Sequence, residues 1–283
     1  MALLNIAAKT LKTTAVLTGA GLHTGQTVTV RIGPAAVGTG IVWVRSDLPG
    51  HPIMSAQDVD HAAAPFRTAL KNGLAEAHTI EHLMAALSTC GITDCRIEIN
   101  GLEVPGMDGS ALPFFEALHR AGIVVLGEKS TQALVLDHPI SIIDGPAEIT
   151  ALPRVDGLKI HYTLHYPEHS LAQGAFELNV TEETFLKEIA SARTFVLKKD
   201  TDAMRAAGLG KGADFQNTLV IDGDHALETA LRYDNEPVRH KILDLIGDLY
   251  TLGRPVYADI IAKCTGHRHN RQLVARMREE LQL

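Results

Sequence analysis

The sequence predicts an α+β protein built as two similar domains, each a mostly antiparallel sheet layered against helices. Short runs with alternating apolar residues, such as Val28, Val30 and Ile32, have the two-residue period of half-buried strands. Other stretches carry the 3.6-residue period and the terminal residues of helices. The order strands, helix, strand, helix in the first half returns in outline in the second. The expected division is 1–127 and 128–283, with residues 192–221 reading as an insert in the second domain.

Of 283 residues, 46% are apolar, enough for a buried core in one large or two medium domains. The net charge of −7, with no basic run, argues against nucleic-acid binding, and an anionic substrate must meet a local basic cluster. The N-terminal MALLNIAAKTLK has too short an apolar run and no cleavage signature for a signal peptide. No apolar segment of roughly 18 residues occurs elsewhere, so a cytoplasmic protein without a transmembrane segment is expected. Cys90, Cys95 and Cys264 lack paired C-x-x-C spacing and read as free thiols.

Taken in order, TAVLTGAGLHTGQTVTVRI (14–32) reads as strand, glycine-rich turn, strand. Glycines at 19, 21 and 25 miss the dinucleotide-binding spacing and no helix follows, so the loop serves close backbone approach, with His23 at its tip. GIVWVR (40–45) is a short strand, and 48–77 is irregular. AHTIEHLMAALSTCGI (77–92) holds a helix with Leu83, Met84 and Leu87 as its stripe, Thr79 as its cap and Gly91 as its stop. CRIEIN (95–100) is a strand, Pro105 and Asp108-Gly109 form a turn, and Ser110 caps a second helix. The first half ends near Gly127-Glu128-Lys129-Ser130. Strands at 132–143, 147–153 and 157–166 follow, then a helix at 181–190. The helix of DNEPVRHKILDLIGDLY begins at Asp234, Asn235 and Pro237 and stops before Gly253 and Pro255. It buries Val238, Ile242, Leu245, Ile246 and Leu249 in one stripe. YADIIAK (257–263) is a last strand, and 266–281 a last helix carrying Leu273, Val274, Met277 and Leu281.

The residues that carry chemistry lie beside these stripes. His240, Asp244 and Asp248 follow at four-residue spacing, each about 40° round the helix from the last, so His240 and Asp244 can close on one cation. The same residues also suit a solvated polar face. Residues 78–82, HTIEH, match H-x-x-E-H, in which two histidines one helical turn apart bind zinc and the glutamate activates water. With Thr79 as the cap, His78 falls outside the helix, leaving His82 as the ligand and Glu81 beside it. His82, His240 and Asp244 would then leave a fourth tetrahedral position for water, as in a catalytic zinc site, whereas adding His78 closes the shell into a structural one. Spacing leaves both versions open, and these ligands also suit Fe(II).

HTIEHLMAAL, EVPGMDGSALPFFEAL, SARTF, VRHKILDLIGDL and TGH, with GAGLHTG ahead of them, together resemble the zinc-dependent UDP-3-O-acyl-N-acetylglucosamine deacetylases of lipid A synthesis. The match runs in order over nearly the whole chain. It implies removal of the N-acetyl group at an active site between two α+β domains. It also implies that the insert lines an acyl-chain passage, through Phe195, Val196, Leu209 and Phe215. By the same resemblance His82, His240 and Asp244 hold Zn2+ (or Fe2+), Glu81 is the base, His267 the general acid with Asp248 as its partner, and Thr194 meets the oxyanion. Lys241, Phe195, Tyr166 and His23 would face the substrate, Lys241 at its charge and Tyr166 at its uracil. A monomer acting on UDP-3-O-acyl-N-acetylglucosamine is expected.

Three positions depart from the family's usual pattern: Gly106 in EVP-x-MDGS, His78 ahead of the first motif, and Cys264 three residues before His267. Two other functions compete. A nucleotide-sugar-binding protein that has lost the chemistry fits poorly with the complete set Glu81, His82, His240, Asp244 and His267, and an H-x-x-E-H protease explains neither VRHKILDLIGD nor TGH.

Overall fold

The computed structural model describes residues 2–63 and 66–281. The first half runs β1 (Ala2–Leu11), β2 (Ala15–Ala20), β3 (Thr27–Pro34), β4 (Ile41–Arg45), β5 (Ile53–Ser55), β6 (Ala69–Asn72), β7 (Ala75–His78), α1 (Glu81–Thr89), β8 (Cys95–Ile99), α2 (Leu112–Ala121) and β9 (Ile123–Val135). The second runs β10 (Ile140–Asp144), β11 (Ala147–Pro153), β12 (Leu158–His165), β13 (Gln173–Val180), α3 (Glu182–Glu188), β14 (Thr194–Leu197), α4 (Lys198–Ala206), β15 (Thr218–Asp222), β16 (His225–Ala226), α5 (Glu236–Tyr250), β17 (Val256–Lys263) and α6 (His267–Leu281). The fold is α+β, as the sequence predicts. Among the described residues no helix is long and apolar enough to cross a membrane.

Alternation built the strands. In β3, Val28, Val30 and Ile32 are buried while Thr27 and Arg31 are exposed, so one face meets the core. A five-stranded sheet has the order β2-β3-β8-β4-β5, antiparallel except for β4 beside β8. In the seven-stranded sheet β17 is the hub, antiparallel to β11 and parallel to β12 and β9, with β1 and β10 as its far strands. The insert, with β16 just after it, forms a small sheet of β14, β15 and β16.

Several local expectations are corrected. The stretch 48–77 is not irregular but holds β5, β6 and β7, and the N-terminal residues form β1, paired along β9. The segment Gly127-Glu128-Lys129-Ser130 lies inside β9, where Ser130 stands opposite Ala7. β13, unanticipated, pairs with β12. Ala111, not Ser110, occupies the cap position of α2. Ile80, not Thr79, precedes α1, and Thr79 instead adopts a positive φ of 57° and donates its hydroxyl to Glu103 Oε1 at 2.9 Å. The Thr79 hydroxyl thus goes to a partner 24 residues away rather than to the helix end, whereas Ser110 donates to Asp108 Oδ1 at 2.8 Å and accepts from the Leu112 amide at 3.3 Å without being the cap residue.

Helices α1 and α5 pack against each other as the centre of the molecule. Residues 81–87 of α1 are all buried, as is every residue of α5 except Arg239 and Lys241. A solvated polar face on α5 is thereby excluded. Burying His240, Asp244 and Asp248 is costly unless each is paired or binds an ion, so their partners define the site.

Candidate metal and catalytic site

Three helix segments deliver the chemistry: the first turn of α1 gives Glu81 and His82, α5 gives His240, Asp244 and Asp248 on successive turns, and α6 begins with His267. One ligand atom each from His82, His240 and Asp244 lies within 4.8 Å of the others, and all three residues are buried. His240 Nε2 is 3.3 Å and His82 Nε2 3.8 Å from Asp244 Oδ1. The two imidazoles meet edge to face with centroids 5.0 Å apart. His240 Nδ1 donates to the Ala192 carbonyl at 3.0 Å, which fixes the tautomer and turns the Nε2 lone pair inward.

The protonation states fit a cation. Burial, with the charge of His240, pushes His82 down to about 3, and burial likewise lowers His240, so both rings are neutral donors. Burial would raise the Asp244 carboxyl, but the positive charges of Lys241 and His267 hold it well below the usual carboxylate range. Its Oδ1 is buried without a hydrogen-bond partner, while Oδ2 accepts from Lys241 Nζ at 2.8 Å. Two neutral imidazole nitrogens and an unpartnered carboxylate oxygen converge with no proton to share, the donor set that a divalent cation completes.

His78 stands apart. It ends strand β7, outside the helix, and its Nε2 lies 3.0 Å from Glu76 Oε2. The two-histidine helical turn of an H-x-x-E-H protease does not form, because α1 starts at Glu81.

Beside this donor group stand two titratable residues, Glu81 and His267. Burial, together with the charges of Asp244 and Asp248, pushes the Glu81 carboxyl up to about 7 against the opposing pull of His267. Its Oε2 accepts from the Thr68 amide at 3.0 Å, and its Oε1 lies 3.9 Å from His267 Nε2. His267 Nδ1 donates to Asp248 Oδ2 at 2.8 Å. Burial alone would lower that imidazole, but the carboxylates of Asp248 and Asp244 push it up to about 9. Asp248 also accepts from Thr68 Oγ1 at 2.5 Å and Asn270 Nδ2 at 2.8 Å. Thr68 and Asn270 were not anticipated. Asn270, three residues after His267 on α6, could have been found from helical spacing, whereas nothing local marks Thr68.

These groups open into a cavity of about 340 Å³ that Thr194, Phe195, Tyr166, His23 and Lys241 also line. The Thr194 amide donates to the Gly109 carbonyl at 2.9 Å, placing that residue at the wall. Lys241 Nζ stands 5.5 Å from the centroid of Phe195, whose ring meets Tyr166 edge to face at 6.5 Å. Burial works against the charge of Lys241, but Asp244 outweighs it and holds the ammonium well above its usual range. The insert supplies Val196, Met204, Leu209, Phe215 and Val220 to the same cavity. Its far end is tied to the glycine-rich loop, where the amides of Lys211 and Gly212 donate to the carbonyls of His23 and Leu22. A Cβ at Gly212 would lie 2.3 Å from the Gly21 carbonyl oxygen, so glycine is what permits this docking. The loop is held in turn by Glu103, which accepts from the amides of His23 and Thr24 at 2.9 and 2.8 Å. Every residue expected at the site therefore lines this cavity except Asp248, which lies behind its wall holding His267.

Residues 8–279 match the family model of LpxC, UDP-3-O-acyl N-acetylglycosamine deacetylase. Proteins named UDP-3-O-acyl-N-acetylglucosamine deacetylase are similar along most of their length. The one from Leptospira biflexa is 40% identical over 92% of this chain and 85% of its own, and that of Anaeromyxobacter dehalogenans 38% over 92% and 83%. The protein from Thermosynechococcus vestitus is 38% identical over 94% of this chain and 92% of its own. The chain therefore belongs to the UDP-3-O-acyl N-acetylglycosamine deacetylase family.

Proposed function

We propose that this protein is a metal-dependent amidohydrolase that removes the N-acetyl group of UDP-3-O-acyl-N-acetylglucosamine in lipid A synthesis, releasing acetate and the free-amine sugar nucleotide. The supporting observation is the buried donor set of His82, His240 and Asp244, flanked by Glu81 and a His267 that Asp248 keeps cationic. Zinc bound by those three residues would supply a Lewis acid that polarises the amide carbonyl and acidifies water; Fe(II) suits the same ligands.

The chain's own residues do the rest. Glu81 takes a proton from the attacking water, because its free Oε1 faces the cavity while Oε2 is tied to Thr68. As oxygen bonds to the acetyl carbon, negative charge develops on the carbonyl oxygen, and the Thr194 hydroxyl donates to it. The C–N bond then breaks, and the nitrogen leaves with the proton from His267 Nε2. Lys241 offers positive charge to the substrate, Tyr166 an aromatic face to uracil, and His23 and Phe195 further contacts. The insert lines the acyl chain with Phe195, Val196, Leu209 and Phe215.

We read 1–127 and 128–283 as the two units that meet at this site, with β9 running across the boundary between them, and the working enzyme as a cytoplasmic monomer. The direct test is metal-replete protein with UDP-3-O-acyl-N-acetylglucosamine, acetate being measured against loss of substrate. One acetate per substrate consumed is expected. Intact substrate after prolonged incubation would overturn the assignment.

A further inference from the structure

Thr68 touches both acid–base arms and belongs to neither. It is fully buried, just ahead of β6, 13 residues from Glu81 in sequence and 180 from Asp248. Its amide donates to Glu81 Oε2, its hydroxyl to Asp248 Oδ1, and its carbonyl accepts from the amide of Ile80 immediately before α1. We propose that Thr68 is a positioning residue that locks the base and the acid of the deacetylation into one register. This rests on the deacetylase reading above.

The stereochemistry explains why one residue can do both. A threonine hydroxyl has a single proton, and the 2.5 Å contact assigns it to Asp248, against 3.4 Å to His267 Nδ1. Asp248 Oδ1 is thus engaged by Thr68, and Oδ2 is left to take His267 Nδ1 and Asn270 Nδ2, both at 2.8 Å. With Nδ1–H committed to Asp248, His267 presents Nε2 to Glu81 Oε1 and the cavity. On the other arm, the amide engages Glu81 Oε2, so the carboxylate turns Oε1 toward the same point. Without the hydroxyl, Asp248 can rotate, and His267 loses its bearing on the departing nitrogen. Partners of this kind, one step removed from the reacting atoms, typically contribute 10–100-fold in activity.

The test compares metal-replete wild type, Thr68→Val, which keeps shape and amide but not the hydroxyl, and Thr68→Ser, which restores it. For acetate release from UDP-3-O-acyl-N-acetylglucosamine, Thr68→Val should lose about 30-fold in kcat with KM and metal content unchanged, and Thr68→Ser should stay within about threefold of wild type. Retention of wild-type kcat by Thr68→Val, or equal damage in Thr68→Ser, overturns the proposal. A second readout needs no turnover. In protein labelled with 15N-histidine, the His267 Nδ1 proton resonance should be shielded in Thr68→Val and restored in Thr68→Ser. An unmoved resonance counts against the role of Thr68 even if the wild type released no acetate, an outcome that would instead remove the deacetylase reading. Should Thr68→Val not fold, Thr68→Cys, close in size and a poor donor, replaces it with the same expectations.

Discussion

Gly247 of α5 lies so close to the Glu81 carbonyl of α1 that a Cβ at position 247 would sit 2.0 Å from that oxygen. The two helices that carry Glu81 and the donor group of His82, His240 and Asp244 touch at the residue that begins α1. Their spacing is set by the missing side chain.

Gly247→Ala should therefore push α5 off α1 and separate His82 from His240 and Asp244. Overpacking of this kind costs about 1–3 kcal/mol. The expected result is a lowered Tm together with weaker metal retention and at least about tenfold lower activity. Unchanged Tm and metal content in the purified variant would show that the helices have slack at this contact.

Asp244→Ala should lose its metal and keep its fold. The helix is held by Val238, Ile242, Leu245, Ile246 and Leu249, all buried, and the carboxylate is surrounded by its own charge partners rather than by core. Metal analysis after dialysis and circular dichroism of the same sample check both halves. A variant that retains one metal per chain removes Asp244 from the ligand set.

Activity should be bell-shaped in pH. In the proposed mechanism Glu81 works deprotonated, so activity rises as pH increases through its value, which is about 7 without a cation and lower with one bound nearby. In the same mechanism His267 works protonated, so activity falls as pH increases through about 9. Asp248→Asn removes a negative charge that raises His267, and the basic limb should move to lower pH. A basic limb that stays in place in that variant would take the acid role away from His267.

Much of this arrangement was legible in the sequence, for identifiable reasons. Helix α5 carries its period and its Pro237 within 15 residues, with Asn235 immediately ahead of them, so its span and its buried stripe follow from local pattern. The burial of its polar flank does not, because that depends on α1 packing against it. The pairing of β1 with β9 joins residues more than a hundred apart in sequence, and neither strand advertises its partner. Thr79 carries a good capping side chain, yet the hydroxyl is taken by Glu103, a partner that local sequence does not reveal. Thr68 was invisible for the same reason: its function lies in contacts to Glu81 and Asp248 that only the tertiary fold creates.

The insert should govern acyl-chain length. Leu209 and Phe215 line the cavity, and Leu209→Trp should exclude the end of the longest chain accepted by the wild type. Leaving two methylenes unburied is worth about 1.6 kcal/mol, roughly fifteenfold in kcat/KM for the long substrate relative to a shorter one. Equal kcat/KM ratios across a series of acyl lengths in wild type and variant would place the chain elsewhere.

His78→Ser should retain metal and most of its activity, since the His78 ring faces Glu76 and stands outside the ligand group. Loss of metal together with loss of activity would return His78 to the shell and reopen the four-ligand alternative.

The central claim is that His82, His240 and Asp244 hold one catalytic metal, and its most direct measurement follows acetate release and bound metal in the same samples. The protein is stripped with a chelator and back-titrated with zinc while both quantities are recorded. Activity should vanish in the stripped protein and return linearly to a plateau at one zinc per chain, and the His82→Ala, His240→Ala and Asp244→Ala proteins should recover none of it at that stoichiometry. Acetate release at the full rate from stripped protein, or recovery in the His240→Ala protein equal to that of wild type, would contradict it.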